Sequence, residues 1–139
     1  MNKRSSKRHI HVTAGLIWQD GRLLIARRPK GSHLAGFWEF PGGKKETCEG
    51  LKACMEREIK EELGMDIRAD RLLLTVQHEY EVKLVSLHIF DCTCLKGTPQ
   101  PLEGQEIRWV DPNDLDQYAF PPPDQKVIES LLVQSRSEG

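Results

Sequence analysis

The chain lacks any long apolar run, so no segment approaches the ~18 to 20 residues that a membrane-spanning helix needs. It also lacks a dominant charge. Its 20 Lys and Arg against 21 Asp and Glu leave a formal net charge of −1, which gives long nucleic acid no basic footprint to bind. Cys48, Cys54, Cys92 and Cys94 form no Cys-x-x-Cys pair, and a structural zinc site is weakly supported. No secretion signal is present, so these thiols are expected to be reduced and buried in a cytoplasmic protein. The five histidines are scattered and show no metal-ligand spacing. Met1 to Arg8 is basic and polar with no apolar run, and is expected to be a flexible tail, not a signal peptide or an anchor. A chain of 139 residues then suffices for one domain with one substantial core, over about residues 9–135.

What the chain has in excess is carboxylate in one place. Glu58, Glu61 and Glu62 fall within Arg57-Glu58-Ile59-Lys60-Glu61-Glu62-Leu63-Gly64. On a helix, residues three and four apart share a face, and like charges at that spacing cost a few tenths of a kcal/mol per pair. A hard divalent cation would repay that cost. Mg²⁺ takes oxygen ligands and is usually shared between one or two carboxylates and substrate phosphates. The same eight residues would also suit a solvated charged face, with Lys60 as counterion.

The flanking pattern predicts the elements. His9 to Trp18 and Arg22 to Arg28 read as two strands joined by a turn at Gln19-Asp20-Gly21. Pro29 to Gly36 is a loop, and Phe37 to Phe40 leads into Pro41-Gly42-Gly43. Leu51, Met55, Ile59 and Leu63 recur every four residues, which predicts a helix over Thr47–Leu63 closed by Gly64. Its carboxylates flank this buried stripe, half dry and half wet. Leu72 to Glu81, Val82 to Cys94 and Gln105 to Val110 read as further strands. A brief helix follows at Asp111–Leu115, capped by Asp111 or Asn113. A last helix is expected over Asp124–Val133, with Val127, Ile128, Leu131 and Leu132 facing inward. This mixture is an α+β pattern.

Gly43, Glu49, Arg57-Glu58-Ile59, Glu61-Glu62 and Gly64-Met65 stand at fixed spacings over 23 residues. This resembles the box of the Nudix hydrolase family at every defined position. The resemblance extends outside it. Trp38-Glu39-Phe40-Pro41-Gly42-Gly43-Lys44 and Phe120-Pro121-Pro122-Pro123-Asp124 are similar to the MutT-type members, and similarity runs from about His9 to about Leu132. The family implies an α/β/α sandwich with a central mixed sheet. It implies Mg²⁺, with Mn²⁺ as a substitute, and a nucleoside triphosphate as small-molecule partner.

Roles carried over from the resemblance fall on individual residues. Glu58, Glu61 and Glu62 match metal ligands, with Glu58 also the general base, and Arg57 orients that carboxylate. Glu49 supports the loop and Arg57, or else sits as a helix-start carboxylate against the dipole. Gly42 lets backbone approach the metal, as a turn glycine also would. Lys44 and Arg28 match phosphate contacts, a surface arginine being the alternative for Arg28. Glu103 matches a further metal carboxylate, with Glu106 its competitor. Trp38 and Phe40 are candidates for stacking on the base or for the core. Asp124 matches the base-reading position, or else caps the helix. The 8-oxo-dGTP hydrolase pattern has an amide there, whereas a carboxylate also suits the amino group of cytosine.

These residues imply hydrolysis of NTP to NMP and pyrophosphate, with 8-oxo-dGTP ahead of CTP or 5-methyl-dCTP. Another diphosphate compound is the second enzyme reading, and a non-catalytic nucleotide-binding module is the third. The base-reading domain of adenine glycosylases ranks lower, because no box glutamate is lost. The expected assembly is a monomer or homodimer.

Overall fold

The computed structural model describes residues 7–31 and 35–138, with side chains described through residue 131. Strands β1 (Arg8–Gln19) and β2 (Arg22–Arg27) form a hairpin. Asp20 and Gly21 both take positive φ, 53° and 75°, as a two-residue turn matched to strand twist requires. Short β3 (Trp38–Glu39) and β4 (Gly42–Lys44) follow, then α1 (Leu51–Leu63), β5 (Asp66–Glu79), β6 (Lys83–Lys96) and β7 (Glu106–Val110). A 3₁₀ turn at Pro112–Gln117 and α2 (Pro122–Glu138) complete the chain.

The strands run β3-β2-β1-β6-β5 in one mixed sheet, with β4 paired to β1 and β7 to β2. β1 and β6 pair in parallel from Arg8↔Lys83 to Ile17↔Cys92, so the connection between them must pass through α1 and β5. The other pairings are antiparallel.

Period-two alternation sorts side chains into two cores. Leu16, Leu23, Ile25, Leu87 and Ile89 pack with Val127 and Ile128 of α2. Ile17, Leu24, Phe90 and Cys92 point the other way and pack with Met55, Ile59 and Leu63 of α1. Helices therefore cover both faces, the α/β/α sandwich expected from the resemblance.

Several boundaries differ from the sequence reading. α1 starts at Leu51, not Thr47, because Cys48 sits at φ 69° and Gly50 is extended. The Glu49 carboxylate bonds back to the Glu46 N–H at 2.8 Å and so holds that loop open. β5 begins at Asp66, six residues early, and shifts register between Ala69 and Arg71 and between Leu72 and Leu74. Those shifts break the alternation that would have revealed it. Gly42–Lys44, to which the sequence reading gave no element, pairs with Val12–Ala14. α2 starts at Pro122, where proline's fixed φ suits a first turn. Cys48 and Cys94 are exposed, unlike buried Cys54 and Cys92, and all four are free thiols. Arg8 already belongs to β1 and Lys7 pairs with Glu79. The tail expected over residues 1–8 otherwise lies outside the described residues, as does the side chain of Leu132.

Candidate active site

Arg57 organises the loop–helix junction. Its Nε and Nη2 donate to Glu49 at 2.9 and 2.7 Å, a two-pronged bond. Nη1 donates to Glu58 at 3.0 Å and to Glu61 at 3.1 Å, and Nη2 also reaches the Lys44 carbonyl at 3.2 Å. One guanidinium thus ties the β4–α1 loop to two turns of α1. Its bonds to Arg57 hold Glu49 down at a pKa of about 2.

Glu58 and Glu62, one turn apart, face a cavity of about 330 Å³. Glu39, Glu103, Gly42, Gly43, Arg28 and Gln105 also line it. Burial is the first cause that raises Glu58 and Glu62, and the carboxylates of Glu39 and Glu103 add repulsion at Glu62. Glu39 is also raised by burial, although the Arg28 Nε donates to it at 3.1 Å. Repulsion among four carboxylates around one cavity fits a hard divalent cation. Among the described residues, no three His, Cys, Asp or Glu side chains already close around one ion. Gly43 matters sterically, since a Cβ there would lie 1.8 Å from the Glu58 Oε1.

A second cavity, about 190 Å³, shares Arg28, Glu39, Gly42 and Gly43 with the first. Its walls include Phe37, Trp38, Phe40, Tyr80, Lys83 and Asp124. Asp124 is 8% exposed and belongs to the first turn of α2. Its Oδ2 accepts a long 3.5 Å bond from the Phe40 N–H, and Asp124 is the third residue of α2, not the residue before its start. Burial, with Glu39 nearby, pushes it up to about 7.

The structure brings Glu58, Glu62, Glu103, Gly42 and Arg28 to one cavity, and Asp124, Trp38 and Phe40 to its neighbour. Glu61 is exposed and does not line either; Arg57 holds it outside. Glu106 pairs with Arg27 and Arg108, which leaves Glu103 as the carboxylate at the cavity. Lys44 lines a separate groove with Arg8, His9, His11 and Lys45, away from the carboxylates. Trp38 and Phe40 are core residues. Arg27 and Arg108 lie over the Trp38 ring, and Phe40 stacks on Phe120, so Phe37, 37% exposed, is the freer aromatic. Sequence reasoning missed Phe37, Tyr80, Lys83 and Glu39. Glu39 alone left a signal, a charge between two buried aromatics in a strand.

Comparison with known proteins agrees with this geometry. The NUDIX domain model matches residues 13–130. The CTP pyrophosphohydrolase of Escherichia coli strain K12 is 35% identical over 124 residues, 89% of this chain and 92% of the relative. The 8-oxo-dGTP diphosphatase of Haemophilus influenzae is 34% identical over 132 residues, 94% of this chain and 97% of the relative. Among solved structures, the E. coli ORF135 protein superposes with a TM-score of 0.85 at 33% identity, covering 96% of this chain and 95% of that one. A MutT structure from a study of Aliivibrio salmonicida and Vibrio cholerae gives 0.74 at 32% identity, covering 91% and 99%. With its carboxylate helix, sandwich fold and matching family model, this chain belongs to the Nudix hydrolases of the MutT type.

Proposed function

We propose that this protein is a Mg²⁺-dependent nucleoside triphosphate pyrophosphohydrolase, converting NTP and water to NMP and pyrophosphate, with 8-oxo-dGTP as its substrate. The observation that carries this reading is the pairing of the two cavities. The apolar one suits a base, bounded by Phe37 and read by Asp124. The acidic one suits a metal-bridged polyphosphate, and Gly42 and Gly43 lie between them without side chains to block the passage. Glu58, Glu62 and Glu103 would hold Mg²⁺, or Mn²⁺ in its place, and Glu61 would join from the rim. Bound there, the metal supplies charge neutralisation of the phosphates and acidifies water.

The chain's own groups do the rest. Glu58 takes the proton from the attacking water, a task suited to a carboxylate whose burial raises its basicity. Arg57 fixes the aim of Glu58 and, through Glu49, the loop that joins β4 to α1. Arg28, half-exposed beside Glu39, reaches the phosphates or ribose. The protein works as a monomer or homodimer in the cytoplasm, on a free nucleotide.

Asp124 favours a second reading, a CTP or 5-methyl-dCTP pyrophosphohydrolase, because a carboxylate accepts from an exocyclic amino group. The two relatives at 35% and 34% identity bear one name of each kind. The deciding experiment compares kcat/KM for 8-oxo-dGTP, dGTP, CTP, 5-methyl-dCTP and a nucleotide sugar. The first reading expects 8-oxo-dGTP to lead by about tenfold or more, equivalent to about 1.4 kcal/mol. A tenfold lead for the cytosine nucleotides establishes the second. No Mg²⁺-dependent pyrophosphate release from any triphosphate would sink both.

A further inference from the structure

The histidines that look scattered in the sequence do not stay scattered. His9 and His11 share one face of β1. The parallel register sets His11 opposite Ser86 and Thr13 opposite His88. Three imidazoles therefore stand together on the face that α1 covers further along. The His9 and His11 ring centroids are 4.2 Å apart, and those of His11 and His88 5.2 Å.

We infer that His11 and His88 are the core of a second metal site, for a divalent transition cation of the imidazole-preferring class such as Zn²⁺ or Cu²⁺. His11 Nδ1 and His88 Nε2 face each other at 3.0 Å. Two imidazole nitrogens on a tetrahedral cation, each at about 2.0–2.1 Å, stand about 3.3 Å apart. The present pair, joined by an N–H···N hydrogen bond, matches that spacing to within a few tenths of an ångström, and a cation would replace the shared proton. The other nitrogen of His88, Nδ1, lies 3.0 Å from the Thr75 hydroxyl, which fixes the ring as outer partners of ligating histidines do. His9, exposed and bonded through Nε2 to Ser86 at 2.6 Å, lies against His11 with ring centroids 4.2 Å apart. Water completes the shell, since no three described side chains already close around one ion.

Access comes through the groove of about 340 Å³ lined by Arg8, His9, His11, Lys44 and Lys45. Burial, with His9 and Lys45 beside His11, lowers both imidazoles below their ordinary value and favours the neutral form that ligates, and a cation would displace the proton the pair now shares. Lys45 repels any cation, and bonds to two imidazoles must outweigh it. Ligand type separates this site from the carboxylates: imidazole suits Zn²⁺ and Cu²⁺, whereas carboxylate suits Mg²⁺. A cation here would staple β1 to β6.

Isothermal titration of the full chain with Zn²⁺ in excess Mg²⁺ tests the site. One Zn²⁺ is expected per chain. His11→Gln, His88→Gln and Thr75→Val should each weaken it by about tenfold or more. His78→Gln, whose ring packs on Tyr80, should leave it unchanged. Cu²⁺ should give an electron paramagnetic resonance spectrum with coupling to two or more nitrogens, reduced by one in His11→Gln. His11 is half-exposed, so that variant is informative even if His88→Gln does not fold. Zn²⁺ that is displaced by Mg²⁺, that survives both His substitutions, or that is lost in Cys48→Ser or Cys94→Ser overturns the inference.

Discussion

A methyl group added at Gly43 separates catalysis from folding. The new Cβ would stand 1.8 Å from Oε1, 2.3 Å from Cδ and 2.8 Å from Cγ of Glu58. Non-bonded carbon atoms prefer about 3.5–4.0 Å, so the Glu58 carboxylate must retreat by roughly 1.5 Å. It can do so, because a glutamate tip is flexible and Gly43 is not among the positive-φ glycines. The retreat breaks the 3.0 Å bond from Arg57 and moves Glu58 away from the acidic cavity. A misplacement of about 1 Å at a reacting group costs about 10²-fold, or about 2.7 kcal/mol of barrier. Gly43→Ala should therefore lose about 10²-fold or more in kcat with a thermal midpoint near wild type. Gly42→Ala should instead lower the thermal midpoint, because its Cβ would lie 1.9 Å from the Thr13 carbonyl oxygen on the paired strand. Backbone cannot swing aside, and overpacking of that kind costs typically about 1–3 kcal/mol. Pyrophosphate release and circular-dichroism melting measure both variants. A Gly43→Ala enzyme within threefold of wild-type kcat would refute the argument that the position of Glu58 governs turnover.

Glu58→Gln keeps the shape and removes the base, so kcat should fall by about 10²-fold or more while the far-ultraviolet spectrum is unchanged; near-normal turnover removes Glu58 from proton transfer. Glu62→Gln relieves repulsion, so its metal-free form should melt higher than wild type at pH 8, while the Mg²⁺-induced rise in melting temperature shrinks. Equal Mg²⁺ response in both proteins, followed by calorimetry, would place the ion elsewhere. Asp124→Asn tests the buried acid. Its folded pKa, about 7, lies above the ordinary 3.8, so ionisation costs stability progressively from about pH 4 and fully above about 7. The variant should gain up to a few kcal/mol over wild type at pH 8 and little at pH 4, and equal gains at both would contradict this. His11 and His88 have folded values below 6.5, lowered first by burial, then by His9 and Lys45 at His11 and by His11 and His9 at His88. Unfolded imidazoles bind protons that the folded ones refuse, so stability holds above about pH 6.5 and declines below it. The double variant His11→Gln/His88→Gln should flatten that decline in urea titrations between pH 7 and 5.

The fold was legible wherever one period ran undisturbed. Leu51, Met55, Ile59 and Leu63 marked α1, and Asp20-Gly21 marked the hairpin turn, because each signal is local. β5 was half-hidden because its register shifts reset which residues face inward. β4 was hidden because Gly42 and Gly43 carry no side chains to alternate. Both strands are set by partners distant in the sequence, Val12–Ala14 for β4 and the whole of β6 for β5. The start of α1 was misplaced for a related reason. A capping contest between Glu49 and a continued helix was decided by Arg57, eight residues on.

For the site, the sequence exposed what one helix holds and concealed what the sheet assembles. Arg57, Glu58 and Glu62 lie within two turns, and spacing alone aligns them. Lys44 shows the limit of such reasoning. It follows Gly43 directly, yet side chains alternate along a strand, and its own faces a groove with His9 and His11. Phe37, Tyr80 and Lys83 meet only because β1 and β6 run in parallel, bringing the β5–β6 turn up to the chain that precedes β3. Of the acidic cavity, only Glu58 and Glu62 are local to one helix, while Arg28, Glu39 and Glu103 come from elsewhere in the chain. The apolar cavity beside it is lined from five separated stretches, around residues 12–14, 28, 37–43, 80–87 and 121–124. In the proposed function it is therefore Asp124, and not the box, that would discriminate purine from pyrimidine.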